Sequence, residues 1–113
     1  MAGWKRRILR RVMYGNPQRL DDSDVQSLRR DAGRWLKERR ESVGLSQREL
    51  AGLVGTQYYT FISQLELGRG RIPPDRYRAW SKALQVELRL FVRTMLKFYD
   101  PVTYDILFEG EGA

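Results

Sequence analysis

The tightest constraint on this chain is the short interval between two glycines. Gly44 ends one helical pattern and Gly55 ends the next, and between them Ser46 and Glu49 stand in an S-x-x-E arrangement ahead of Leu50, Ala51, Leu53 and Val54. A serine hydroxyl can take the N–H of the residue three places on, while the glutamate reaches back to the serine N–H, so this spacing starts a helix. A glycine just past the last apolar position stops one. Leu45–Val54 is therefore expected as a short helix, and a short helix has to be held by its neighbours.

The flanking segments supply those neighbours. From a cap at Ser23, with Asp22 and Asp24 beside it, Val25, Leu28, Ala32, Trp35, Leu36 and Val43 recur at helical spacing as far as Gly44. Past Gly55, Tyr58, Phe61, Ile62 and Leu65 fall on one side of a third helix, the expected core side. Its other side carries Thr60, Ser63 and Leu67, flanked by Tyr59 and Gln64. A solvated helix face usually bears charges; this one is small and hydrogen-bonding, as if kept for contact. Pro73, Pro74 and Asp75 open a fourth helix whose inward stripe is Tyr77, Trp80 and Leu84, with Arg76, Arg78 and Lys82 on its solvated side.

The last stretch differs, because from Val86 to Tyr99 apolar side chains wrap most of the way round the axis, more than one small domain is expected to bury. Beyond Pro101, Val102, Tyr104, Ile106 and Phe108 alternate, which predicts a short C-terminal β-strand. A lone strand needs a partner. A homodimer in which Leu88, Phe91, Val92, Met95, Tyr104, Ile106 and Phe108 meet a second copy answers both observations; folding back onto the first 20 residues is the alternative.

Charge then narrows the partner. Across 113 residues, 21 Lys and Arg against 14 Asp and Glu give +7, and there is no histidine and no cysteine. The missing imidazole and thiol remove the usual acid–base, nucleophilic and zinc chemistry, so an enzyme, a metal site and a cofactor are not expected. An apolar content of 42% is enough for a core. No stretch approaches the roughly 20 apolar residues of a membrane span, so a soluble protein is expected. The first 20 residues hold six basic and no acidic side chains, with Trp4, Ile8 and Val12 as a stripe among Lys5, Arg6 and Arg10. That is a basic amphipathic helix, suited to clamping a polyanion or to packing on the domain. An anionic membrane surface is a further reading of the same stripe.

These residues together resemble a known family. G-L-S-Q-R-E-L-A from Gly44 to Ala51, then Val54-Gly55, then I-S-Q-L-E-L-G from Ile62 to Gly68, followed by basic residues and Pro73, resemble the Cro and repressor type of helix-turn-helix, the Xre family. The resemblance covers about Leu36 to Val86. It implies a compact all-α, lambda-repressor-like domain, placed at residues 21–86, and the patterns above add a basic arm at 1–20 and a dimerising extension at 87–113. It also implies a cytoplasmic, bacterial or phage-encoded regulator of transcription, here a homodimeric repressor on an inverted-repeat operator of double-stranded DNA. The alternative is an antitoxin-like module that sequesters a partner protein with its C-terminus.

Carried over by position, the resemblance sets Ser46 and Gln47 against a phosphate, gives base reading to Tyr59, Thr60, Ser63 and Gln64, and puts Arg69 and Arg71 on the DNA backbone. Arg40 and Glu66 match residues that form an internal ion pair. The chain has one residue more between Gly55 and Ile62 than the commonest family spacing. Either the turn is longer, or the recognition helix starts earlier and brings Gln57 and Tyr58 to the groove.

Overall fold

The computed structural model describes residues 21–109, which form an all-helical domain. Helix α1 (Asp22–Ser42) is capped by Asp21, whose carboxylate accepts the Asp24 N–H at 3.0 Å and the Ser23 hydroxyl at 2.9 Å. The cap thus falls two residues ahead of Ser23. A carboxylate at this place satisfies a free N–H and also opposes the positive end of the helix dipole.

Helix α2 (Gln47–Val54) starts at the expected capping box, with Glu49 N–H donating to Ser46 Oγ at 3.0 Å and Ser46 N–H donating to Glu49 Oε1 at 2.8 Å. After Gly55, helix α3 (Tyr59–Glu66) follows. A 3₁₀ turn at Pro74–Arg76 leads into α4 (Tyr77–Leu84), and α5 (Leu88–Tyr99) is capped by Glu87, which accepts the N–H groups of Arg89 and Leu90. A short helix α6 (Pro101–Tyr104) and a π-helical turn (Asp105–Glu109) complete the described chain.

Leu36, Leu50, Ala51, Val54, Ile62, Leu65, Ile72, Tyr77, Trp80, Leu84, Phe91 and Met95 make one core. Helix α1 crosses over both α3 and α5, and α4 packs on α2 and α5, so every helix of the motif is held from behind. Two glycines permit the closest approach. A Cβ on Gly33 would meet the Leu65 carbonyl oxygen at 2.6 Å and that of Glu66 nearer still, and one on Gly68, at φ 85°, would meet the Arg30 backbone at 2.8 Å. The C-terminal end of α3 is therefore pressed directly onto α1.

Three expectations are corrected. No strand occurs among the described residues, because 102–108 is helical: Pro101 fits the first position of a helix, and the Tyr104 ring packs at a tilt against Phe108 four residues on, at 5.3 Å between rings. This arrangement also leaves no unpaired strand edge. Phe91, Met95 and Tyr104, expected at a dimer contact, are buried within the chain itself. Phe91 packs on Trp35 at 6.0 Å and edge-on to Tyr77 at 5.8 Å, because α1 and α4 cover that side of α5. Of the remaining proposed contacts, Leu88 and Val92 are half-buried and Ile106 and Phe108 exposed. Finally, Tyr58 and Phe61 do not join Ile62 and Leu65 in the core. Tyr58 precedes the helix, off its angular pattern, and is 68% exposed, while Phe61 lies at the edge of the stripe at 39%.

Candidate nucleic-acid interface

The candidate surface is built by α2, the turn after it, and α3. Helix α3 begins at Tyr59, with Tyr58 as its N-cap residue and no side chain on its first N–H groups. Gly55–Tyr58 is thus all turn, and Thr56 N–H closes it on Ala51 O at 3.0 Å. The extra residue lengthens the turn, and Gln57 and Tyr58 stand exposed beside the start of the helix.

From there the helix turns Tyr59, Thr60 and Gln64 outward, with Ser63 half-buried between them and Leu67 at the far end. The Arg48 guanidinium lies 4.3 Å from the Tyr59 ring centroid, a cation–π contact that links α2 to the first turn of α3. Sequence reasoning missed Arg48, since nothing local joins a residue on one helix to a ring across the turn. Arg69 is exposed, and its Nη1 approaches Gln64 Oε1 at 3.4 Å.

Behind this face, Glu66 ties three segments together. Its carboxylate takes Arg40 Nε at 2.6 Å and Arg40 Nη2 at 3.1 Å, and Gln47 Nε2 donates to it at 3.0 Å. Arg40 Nη1 in turn donates to the Leu45 carbonyl at 2.8 Å. The ion pair with its two parallel bonds raises the Arg40 pKa, chiefly through the hydrogen bond to Glu66, against the opposing effect of burial. Gln47 therefore enters the site with its amide already oriented, at the first residue of α2, where free N–H groups and the helix dipole favour an anion. Ser46 is held in its capping box, and the N–H it donates keeps the Glu49 carboxyl below the usual carboxylate range.

Arg71 has partners of its own, for its Nη2 donates to Asp100 at 3.0 Å and its guanidinium lies 4.6 Å from the Tyr99 ring centroid. The Tyr99 hydroxyl accepts the Ile72 N–H at 3.2 Å. Partial burial works against the Arg71 charge, but Asp100 and, to a lesser degree, Tyr77 together outweigh it and the pKa rises. Burial pushes the Tyr99 hydroxyl up as well. Lys5, Arg6 and Arg10 lie outside the described residues.

Two short helices joined by a turn, with an uncharged face of the second turned outward on a basic chain, define a helix-turn-helix DNA-binding domain. Residues 36–91 match the helix-turn-helix family model, and the chain belongs to the Cro/repressor (Xre) type of that family, whose members are DNA-binding regulators. Its partner is accordingly double-stranded DNA. No curated protein matches the chain. Among the described residues, no helix is long and apolar enough to cross a membrane.

Proposed function

We propose that this chain is a sequence-specific repressor of transcription that acts inside the cell as a homodimer on an inverted-repeat operator. The observation that carries the reading is the outward face of α3. In a chain of net charge +7, this face presents Thr60 and Gln64 without a single charged side chain between them. Gln64 pairs with adenine N6 and N7, the Thr60 methyl meets a thymine methyl, and Tyr59 and Ser63 contact the neighbouring base edges. Ser46, Gln47, Arg69 and Arg71 take phosphates, with Gln57, Tyr58 and the arm residues Lys5, Arg6 and Arg10 adding further contacts.

Dimerisation uses what α5 leaves open, a groove of about 690 Å³ lined by Leu88, Leu90, Val92, Leu96, Leu107 and Phe108. A second copy seated there sets two α3 helices into successive major grooves about 34 Å apart. The same groove favours a second reading, in which it captures a foreign protein and DNA binding serves only autoregulation. Selection of bound duplexes from a random pool at moderate salt, with sedimentation of the free protein, tests both. An inverted repeat and a dimer are expected. A monomer that selects no sequence overturns the repressor reading, and one that selects a single half-site overturns the dimer.

A further inference from the structure

Leu67 is 56% exposed, yet it belongs to the face just described. Its N–H still donates to the Ser63 and Gln64 carbonyls, both at 3.1 Å, so it continues the helix geometry of α3 by one residue. At about 100° per residue it projects within about 60° of Thr60, Ser63 and Gln64. The seven steps from Thr60 to Leu67 advance about 10 Å along the axis, roughly three base-pair steps of duplex.

The other exposed leucines have apolar company. Leu53 shares a groove with Leu45, Ala79 and Ala83, and Leu90 and Leu107 share the one along α5. Leu67 instead stands among hydroxyl and amide side chains on the reading edge. Its backbone is also fixed on both sides, by the approach of Gly33 to the Leu65 and Glu66 carbonyls before it and of Gly68 to Arg30 after it. A side chain with neither donor nor acceptor can recognise one feature of a major groove, the C5-methyl of thymine, which is the apolar group exposed there.

We infer that Leu67 is a specificity-determining residue that reads a thymine methyl at the end of the half-site remote from the Tyr59 contact. The inference rests on the DNA-reading role of α3. Its test takes an operator selected by the native protein and replaces each thymine in turn with deoxyuridine, which removes the methyl and leaves the pairing intact. Binding is measured for the native protein, Leu67→Ala and Leu67→Met. One thymine per half-site is expected to matter through Leu67: losing its methyl weakens the native protein and Leu67→Met by about fourfold, the burial of one such group, and leaves Leu67→Ala unchanged. If all three proteins respond alike at every thymine, the inference is overturned while sequence-specific binding stands. If the native protein selects no operator, the DNA-reading role itself fails.

Discussion

Arg71 and Asp100 meet at 3.0 Å and join the loop after α3 to the end of α5. Both side chains are part-exposed, so the bond itself adds little stability, at most about 1 kcal/mol. Its effect is on what Arg71 can reach. If the arginine takes a phosphate, it must give up or share Asp100. Asp100→Asn is therefore expected to tighten binding to operator and scrambled duplexes alike, with a small change in Tm. Arg71→Ala is expected to weaken both and to lower the slope of log K against log salt by about one. Anisotropy titrations at several salt concentrations measure the two; unchanged binding on loss of Arg71 would remove it from the interface.

Gln64 should act on one base pair only. Gln64→Ala is expected to cost roughly 1–3 kcal/mol at that pair and to relax the preference there. Arg69→Ala should lower affinity without changing the preferred sequence. Repeating the duplex selection with each variant checks this, and an unaltered preference with Gln64→Ala would mean that the register on α3 is wrong.

Breaking the Arg40–Glu66 pair from one side should be severe. Both side chains are nearly buried, so Glu66→Ala leaves a guanidinium without its counter-charge and is expected to cost about 3–5 kcal/mol. The apolar double variant Arg40→Met with Glu66→Leu should recover much of that. Urea denaturation of the three proteins decides it: a mild loss in the single variant would show the pair to be dispensable.

Acid should loosen the helix starts. The Glu49 carboxyl is lowered by the N–H it accepts from Ser46, and that of Glu87 by those of Leu90 and Arg89. A carboxyl whose pKa falls on folding stabilises the protein above its unfolded value. That contribution is lost as pH drops through the folded value, so Tm is expected to decline below about pH 4.5. Glu49→Gln and Glu87→Gln should each flatten the decline. Thermal melts from neutral to acid pH check it, and parallel curves for all three proteins would contradict it.

What the sequence made legible were features written within a few residues of one another. The Ser46–Glu49 box, the stop at Gly55 and the Ile62–Leu65 stripe all depend on contacts of this range, and each stands where it was expected. Misreadings arose where two local signals competed. Asp21 outranked Ser23 as a cap, and the alternation from Val102 to Phe108 concealed the four-residue spacing of Tyr104 and Phe108. Burial of Phe91 and Met95 depends on α1 and α4, and the Arg71–Asp100 bond spans 29 residues, so periodicity carried no trace of either. Where the extra residue between Gly55 and Ile62 sits was likewise open until the start of α3 was known.

Glu66 holds Arg40 and Gln47 at once, while Gly33 rests against the backbone beside it. The frame that presents α3 is thus bolted from the rear, and tilting the helix to suit another operator would disturb several partners together. On the proposed reading of the operator by α3, new preferences come from exchanging the outward side chains one by one, as type is reset in a fixed press.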